Sequence, residues 1–322
     1  MLSKDEAIHT MNQWGKSRTP FLFIIDYSTD KTILFPLHEV PKSIQYSFNG
    51  IKDFQGKQNN SSFVFEKYPL SFEAYQESFN FIHQELQYGN SYLVNLTVPT
   101  RLETNLDLPS IFERSRAPYK LMVENQFVVF SPECFIKIRE GVISSYPMKG
   151  TISAEEPDAE QVILNDPKEM AEHATIVDLI RNDLSIKANN VRVKSHRYID
   201  RVDTYHGPLL QVSSEIEGDL PDDYYGSIGS ILFSMLPAGS ISGAPKKKTL
   251  EIIAKAEASD RGFFTGVFGV FDGKNLDSAV MIRFIEQTEE GLFFRSGGGI
   301  TAQSTAKSEY EEMIRKVYVP FI

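Results

Sequence analysis

The spacing of apolar residues predicts one amphipathic helix with particular clarity. Apolar side chains recur every three or four positions in this segment: Phe72, Tyr75, Phe79, Ile82 and Leu86. Such spacing places them on one face of a helix, where they can pack against a core. Ser71 before them is a preferred N-cap residue, and Gly89 after them is a typical helix stop. Four further helices are predicted at residues 167–184, 224–236, 245–258 and 305–319.

Short apolar or alternating runs predict strands around these helices. The first is the apolar run at residues 21–27, and the others are at residues 92–98, 119–123, 127–130, 135–138, 142–146, 191–202, 262–271, 276–286 and 291–296. The strands come in adjacent groups separated by single helices. This order predicts the α+β class rather than a regular βαβ repeat.

Length and composition are those of a globular, enzyme-sized protein. The chain has 322 residues and a net charge of -10, which disfavours a broad surface for nucleic acid or anionic membranes. Its one cysteine, Cys134, excludes an internal disulfide and a multi-cysteine metal site within one chain. No run has the length and apolarity of a membrane span, and the N-terminus does not resemble a signal peptide. We therefore expect a cytoplasmic protein.

A lysine at the end of a predicted strand is the first candidate for chemistry. Lys149 lies in the segment PMKGT at residues 147–151, directly after the strand predicted at 142–146. The proline stiffens the chain before Lys149, and Gly150 lets a ligand approach the backbone. Both a reactive amine and a solvated lysine in a hairpin turn are consistent with this segment.

Three glutamates occupy helix positions that require a partner. Glu172 lies within about 40° of Ile176 on an otherwise apolar helix face, so its carboxylate needs a cation or a hydrogen-bond donor. On the last helix, Glu309, Glu312 and Lys316 lie within about 60° of one another. Three carboxylates that converge would suit Mg²⁺. The alternatives are ordinary ion pairs on an exposed face of the last helix, and a capping or salt-bridged role for Glu172.

Two other features could bind an anion. Gly297, Gly298 and Gly299 follow a predicted strand and can expose consecutive backbone N–H groups, although a flexible strand exit would look the same. Arg283 lies among apolar residues of a predicted strand, which suggests a bidentate carboxylate partner from the fold or from a ligand. The loop at residues 239–246 lacks the spacing of a nucleotide P-loop.

Six ordered motifs resemble those of the chorismate-utilising enzymes. These are anthranilate synthase component I, aminodeoxychorismate synthase component I, and the isochorismate and salicylate synthases. The motifs are SPE at 131–133, PMKGT at 147–151, AEH at 171–173 followed by VDLIRNDL at 177–184, GSISGAPK at 239–246, GGGI at 297–300, and EYEE at 309–312 with Lys316. The resemblance suggests a shortened N-terminal part at 1–66 and a catalytic core at 67–322.

The resemblance implies a fold and a set of site residues. The implied fold is a single large domain in which two antiparallel β-sheets are sandwiched between helices. Glu172, Glu309 and Glu312 are the implied ligands of Mg²⁺, which would offset the charge of a dianionic substrate in an acidic protein. The implied substrate-binding residues are Gly150, Thr151, Ser240, Arg283, Gly297, Gly298, Gly299 and Lys316.

Position 149 distinguishes the reactions of these enzymes. Anthranilate synthases usually have alanine there, whereas aminodeoxychorismate synthases have lysine. The resemblance therefore implies that the Lys149 amine attacks C2 of chorismate and that the C4 hydroxyl leaves with a proton from Glu133. Ammonia then adds at C4 and displaces the lysine. The expected product is 4-amino-4-deoxychorismate, on the route to 4-aminobenzoate and folate.

The sequence leaves alternative reactions open and implies one protein partner. Gln211 and Phe264 replace a histidine and a tyrosine of anthranilate synthases, which further disfavours anthranilate as the product. Nothing in the chain resembles a glutaminase, so a separate glutamine amidotransferase subunit is expected to supply ammonia. The alternatives are anthranilate synthase component I, an isochorismate or salicylate synthase, and a chorismate-binding homologue without catalysis.

Overall fold

The chain forms eight α-helices and eighteen strands within residues 1–48, 51–52, 63–204 and 207–320, which are the residues that the computed structural model describes. The helices are α1 (Lys4–Lys16), α2 (Phe72–Gln87), α3 (Leu108–Arg114), α4 (Ala159–Asn165), α5 (Pro167–Ser185), α6 (Ile228–Ser234), α7 (Lys246–Ala256) and α8 (Ala306–Arg315). The strands are β1 (Phe21–Ile25), β2 (Thr32–Pro36), β3 (Ile44–Phe48), β4 (Ile51–Lys52), β5 (Phe65–Tyr68), β6 (Leu93–Thr104), β7 (Tyr119–Val123), β8 (Phe127–Ser131), β9 (Cys134–Arg139), β10 (Val142–Ser145), β11 (Met148–Ser153), β12 (Asn189–Thr204), β13 (Gly207–Asp219), β14 (Gly243–Ala244), β15 (Val267–Phe271), β16 (Leu276–Val280), β17 (Phe284–Thr288) and β18 (Gly291–Ile300).

The elements group into two compact units, each with one nine-stranded antiparallel sheet. Unit 1 comprises Met1–Val40, Glu133–Ser240 and Gly266–Val280, and unit 2 comprises Pro41–Pro132, Ile241–Thr265 and Met281–Ile322. The strand order is β11-β13-β10-β9-β16-β15-β1-β2 in unit 1, with β12 paired to β13. It is β14-β6-β18-β17-β8-β7-β3-β4 in unit 2, with β5 paired to β6. The predicted α+β class with two antiparallel sheets is confirmed. The boundary at residue 66 stays a prediction.

Unit 1 has a fully buried strand next to one edge of its sheet. All five residues of β1 are buried, and β1 pairs with β2 on one side and β15 on the other. The predicted strand at 21–27 is therefore confirmed. Helix α1 was not predicted, because its buried residues are only Ala7, Met11 and Gly15 within a polar sequence. This narrow stripe gives little periodic signal, yet it suffices for packing against α6.

Unit 2 contains the helix with the clearest sequence pattern. Helix α2 is capped by Ser71, whose hydroxyl accepts a hydrogen bond from the Ala74 N–H, and the chain turns at Gly89 with a φ of +74°. Four of the five predicted apolar residues are buried: Tyr75, Phe79, Ile82 and Leu86. They pack in a core that β6, α7 and α8 complete. The predicted start and end of this helix are confirmed.

Several predicted elements have different bounds, because tertiary pairing overrides the local pattern. Residues 191–202 belong to one long strand, β12, and its partner β13 was not predicted. The run at 276–286 is divided into β16 in unit 1 and β17 in unit 2. The helices predicted at 224–236 and 305–319 are shorter, as α6 and α8. Among the described residues, no helix is long and apolar enough to cross a membrane.

A buried ion pair joins three segments of unit 2. The Arg261 guanidinium donates two hydrogen bonds to the Glu257 carboxylate, at 2.8 Å to Oε2 and 2.6 Å to Oε1. Arg261 also donates to the carbonyls of Ile241 (3.0 Å) and Asn95 (2.8 Å). Glu257 accepts from the backbone N–H of Thr97 at 2.8 Å. Both charged side chains are thus satisfied by several partners, which such a buried pair requires.

Arg261→Met is expected to lower the free energy of unfolding by about 3–5 kcal/mol, because it leaves the buried Glu257 carboxylate without its cation. Chemical denaturation with urea provides the measurement. Arg315→Met is the matched control, since Arg315 and Glu311 form an exposed pair at 4.0 Å. Its effect should stay within about 1 kcal/mol. Equal effects of the two substitutions would contradict a stabilising role for the buried pair.

Candidate functional site

Lys149 lies on a bulged strand rather than in the predicted hairpin turn. Strand β11 pairs with β13, with Lys149 opposite Val212, and the register shifts between Lys149 and Thr151. Gly150 at the shift has a φ of +70°, which favours glycine. A Cβ at this position would lie 3.0 Å from Glu169 Oε2. The backbone on either side of Lys149 is therefore held by the sheet.

Lys149 forms an ion pair with one of the predicted metal ligands. Its Nζ lies 3.7 Å from Glu172 Oε2, and the exposed fractions of the two side chains are 22% and 11%. Helix α5, which carries Glu172, packs against β11, β12 and β13. The structure thus supplies the cation that the position of Glu172 on an apolar helix face required. It also brings together two residues that are 23 positions apart in the sequence.

A buried histidine next to Glu172 supports the same strand and was missed as a site residue. His173 Nε2 lies 2.7 Å from Ser214 Oγ, and the Ser214 N–H donates to the carbonyl of Pro147 at 3.0 Å. Burial, reinforced by the nearby charge of Arg197, lowers the pKa of His173 to about 4. The imidazole is therefore neutral at pH 7. The motif AEH contains this residue, but only the structure shows its partner.

The predicted acid, Glu133, lies at the edge of a cavity within unit 1. The Ser240 hydroxyl donates a hydrogen bond to Glu133 Oε1, and the Val280 N–H donates to the Glu133 carbonyl at 3.1 Å. The cavity contains about 370 Å³ of space, part of it open to solvent, and its wall is mostly apolar with Asp183 as a further carboxylate. Ser240 was predicted to bind substrate, and here it contacts the predicted acid.

Helix α8 and strand β18 bring together the predicted residues of unit 2. Lys316 Nζ lies 2.7 Å from Glu312 Oε1 and donates to the Gly297 carbonyl at 3.0 Å. Glu309 is only 3% exposed, and its Oε1 accepts a hydrogen bond from Ser304 Oγ at 2.7 Å. Its charge and that of Glu312 add to the effect of burial in raising the pKa of the neighbouring Tyr75. This corner of unit 2 therefore concentrates negative charge.

The glycine triplet lies inside β18, so the predicted end of the strand before it is wrong. The register pairs the triplet with β6 as Gly297 with Thr97, Gly298 with Leu96 and Gly299 with Asn95. The ladder with β17 ends at Arg295. A Cβ at Gly298 would lie 3.5 Å from Glu309 Oε2 and 3.8 Å from Glu312 Oε1. The missing side chain therefore leaves space next to both carboxylates.

Arg283 was predicted to lie within a single strand, but in the structure it lies at the break between β16 and β17. Arg283 directly precedes β17 and has a φ of +55°. Its carbonyl oxygen accepts a hydrogen bond from the Phe130 N–H at 3.1 Å. Its guanidinium carbon lies 5.3 Å from the centre of the Tyr318 ring. Within the described part of the chain, its buried Nε has no hydrogen-bond partner and its guanidinium forms no ion pair. The expected carboxylate partner is thus not supplied by these residues.

The sequence matches one known protein family along most of its length. Residues 32–321 match the model of the chorismate binding enzymes. The chain belongs to the chorismate-binding enzyme family. The motifs that contain Lys149, Glu172, Ser240 and Glu309 all lie within the part of the chain that matches this family.

Individual relatives point to more than one reaction. The chain is 51% identical over 314 residues to a PabA-like protein of Haemophilus influenzae. This alignment covers 97% of this chain and 96% of that protein. It is 34% identical over 264 residues to aminodeoxychorismate synthase component 1 of Klebsiella aerogenes, covering 77% of this chain and 57% of that one. Anthranilate synthase component 1 of Acetivibrio thermocellus is 33% identical over 249 residues, covering 72% and 49%.

A solved structure supports the family fold. The menaquinone-specific isochorismate synthase of Escherichia coli superposes with a TM-score of 0.75, covering 98% of this chain and 81% of that one, at 16% identity. At this identity the similarity establishes the fold alone. Anthranilate synthase component I of Streptococcus pneumoniae gives a TM-score of 0.65 over 83% of this chain and 60% of that one.

The three predicted metal ligands belong to different units of this family member. Glu172 lies in unit 1 with Lys149, and Glu309 and Glu312 lie in unit 2 beside Gly298. In the described ranges, no three His, Cys, Asp or Glu side chains form a group that could hold a metal ion. Carboxylate oxygens are nevertheless the donors that Mg²⁺ favours. Magnesium therefore stays a prediction.

Two adjacent glycines of β18 are expected to respond differently to alanine. Gly297→Ala should lower the free energy of unfolding by about 1–3 kcal/mol, because its Cβ would lie 2.3 Å from the Leu96 carbonyl oxygen, a backbone atom. Gly298→Ala should change it by less than about 1 kcal/mol, because its Cβ meets only side-chain ends at ordinary distances. Urea denaturation of both variants tests this difference. A larger loss for Gly298→Ala would show that the space at position 298 is needed for folding.

Proposed function

We propose that this protein is component I of an aminodeoxychorismate synthase, which converts chorismate and ammonia to 4-amino-4-deoxychorismate. The observation that carries the proposal is the lysine at position 149, held on a bulged strand and paired with Glu172. Family membership supports chorismate as the substrate. Overall identity does not select the product, because the aminodeoxychorismate and anthranilate synthases are almost equally similar. The choice of product rests on Lys149.

Lys149 would act as the nucleophile. Its neutral amine attacks C2 of chorismate, the ring double bond shifts, and the C4–O bond breaks. Ammonia then attacks C4, the double bond shifts back, and the C2–N bond to Lys149 breaks. Because β13 pairs with β11 on both sides of the bulge, the lysine backbone stays fixed through both steps. Glu172 lies close enough to stabilise the ammonium form of Lys149 between turnovers.

Glu133 would protonate the departing C4 hydroxyl, which leaves as water. A general acid must be held near the leaving oxygen in a protected site. The hydrogen bond from Ser240 fixes one carboxyl oxygen of Glu133, and the apolar wall of the adjoining cavity limits the access of water. Ser240 can thereby assist the reaction through Glu133 as well as through substrate.

We assign the remaining predicted residues to binding. Mg²⁺ would be held by Glu172, Glu309 and Glu312, and when bound it would neutralise charge between these carboxylates and the carboxylates of chorismate. Glu309 and Glu312 both lie close to Gly298, which is consistent with an ion shared between them. The residues proposed to contact substrate are Gly150, Thr151, Arg283, Gly297, Gly298, Gly299 and Lys316, in addition to Ser240.

A separate glutamine amidotransferase subunit would supply ammonia in the cytoplasm. A glutaminase that acts through cysteine needs an accessible thiol beside a base. Cys134 is buried in β9 and is the only cysteine of the chain. The isolated protein should therefore depend on ammonium salts rather than on glutamine.

Lys149→Ala is expected to abolish formation of 4-amino-4-deoxychorismate from chorismate, Mg²⁺ and ammonium, because the covalent route requires the amine. Mass spectrometry of the products provides the measurement. Lys137→Ala is the matched control, since Lys137 is also on a strand, is 20% exposed, and lies 3.9 Å from the carboxylate of Asp277. The control should retain the product. Full output by Lys149→Ala, or anthranilate, isochorismate or salicylate from the wild type, would rule out the assigned reaction.

Chorismate is expected to raise the melting temperature only when Mg²⁺ is present, because a ligand that bridges to the metal stabilises the fold by linkage. Glu172→Gln and Glu309→Gln should remove this magnesium-dependent shift. Glu311→Gln is the control on α8, where Glu311 is exposed and pairs only weakly with Arg315. Thermal unfolding with chorismate, with and without Mg²⁺ and EDTA, distinguishes these cases. A shift that persists in EDTA would contradict the metal assignment.

A further inference from the structure

The segment after α8 alternates between the core and the predicted anion-binding residues. Val317 and Val319 are buried in the unit 2 core cluster that includes Phe130. Lys316, one residue before the first valine, contacts Glu312 and the Gly297 carbonyl. Tyr318, between the valines, lies against Arg283. This short segment therefore contacts two cationic groups, those of Lys316 and Arg283.

The stretch is also tied at its far end. The carbonyl of Pro320 accepts the Arg116 N–H at 2.7 Å. Val317 and Val319 are both buried, so the backbone is anchored on both sides of Tyr318.

Arg283 has the features of a side chain held ready for a ligand. Its φ of +55° is uncommon for a residue with a Cβ and persists only where surrounding contacts impose it. Its buried Nε has no hydrogen-bond partner among the described residues. The guanidinium lies over the Tyr318 ring at 5.3 Å, within the range of a cation–π contact.

We propose that Tyr318 is a positioning residue that orients Arg283 for a carboxylate of the substrate. A guanidinium stacked on an aromatic face keeps its planar edge available for two parallel hydrogen bonds to a carboxylate. An aliphatic residue at position 318 would leave the guanidinium free to rotate. The inference rests on the proposed function to the extent that chorismate supplies the carboxylate.

The contact between the Tyr318 ring and Arg283 is not part of the hydrophobic core. Tyr318 is only partly buried, and the core positions on either side belong to valines. No hydrogen bond of the Tyr318 hydroxyl occurs within the described ranges. The ring, rather than the hydroxyl, is therefore the group that acts on Arg283, and phenylalanine should replace it.

The decisive experiment measures equilibrium binding of chorismate in the presence of Mg²⁺ and without ammonium, by calorimetry. Tyr318→Phe should retain the wild-type Kd. Tyr318→Leu should raise Kd about tenfold, because the Arg283 guanidinium would then have to be ordered when the carboxylate binds. In an Arg283→Lys background, Tyr318→Leu should raise Kd by less than about twofold, because its effect passes through the guanidinium. The same factor in both backgrounds, or an unchanged Kd for Tyr318→Leu, would overturn the proposal.

A spectroscopic arm separates this inference from the proposed function. The Arg283 Nε–H resonance, assigned by its loss in Arg283→Lys, should show a ring-current shift in the wild type and in Tyr318→Phe but not in Tyr318→Leu. Absence of that ring-current shift in the wild type would contradict the positioning role of Tyr318 and leave the proposed function unaffected. If the wild type makes another product but Tyr318→Leu still weakens chorismate binding about tenfold, the assigned reaction fails and the positioning role stands. Absence of chorismate binding by the wild type overturns both.

Discussion

The buried pair of Arg261 and Glu257 is the interaction on which the arrangement of unit 2 depends. It holds the backbone of β6 at Asn95 and Thr97, and β6 in turn is the partner of the glycine triplet in β18. The carboxylates of α8 face that triplet. A pair of opposite charges with extensive hydrogen bonding thus supports β6 and, through it, the neighbouring strand that lies beside the α8 carboxylates. Both places combine a carboxylate with a cation: Glu257 with Arg261, and Glu312 with Lys316.

Two of the three cationic residues assigned to substrate, Lys149 and Arg283, lie where a strand departs from regular geometry. A regular strand directs alternate side chains to opposite faces, so an isolated charged residue would share its face with apolar neighbours. The bulge at Gly150 changes the register beside Lys149, and the left-handed conformation of Arg283 separates β16 from β17. Such irregularities are frequently conserved features of functional sites. In this chain they place a lysine and an arginine where ligands can reach them.

Sequence patterns predicted the elements whose evidence is local. The helix from Phe72 to Gln87 was identified with its cap and its stop, because a wide apolar stripe and a serine N-cap are written within 20 residues. The polar helix α1 was missed because its packing partner α6 is far along the chain, and the strand β13 was missed although its partner β12 directly precedes it. The site residues came from motif resemblance. The contacts between Lys149 and Glu172, Ser240 and Glu133, and Tyr318 and Arg283 required the fold, since no sequence spacing encodes them.

The way the two units share the chain has a consequence for biosynthesis. Each unit is assembled from three separate segments, and the last segments begin at Gly266 for unit 1 and Met281 for unit 2. Phe21 of strand β1 pairs with Phe271, so β1 gains that neighbour only after residues 22–270 have been synthesised. Until then, apolar strand edges stay unpaired on the ribosome, a state prone to aggregation. Neither sheet is complete until strands from these third segments have been synthesised, and a premature stop before Gly291 leaves unit 2 without β18 and α8.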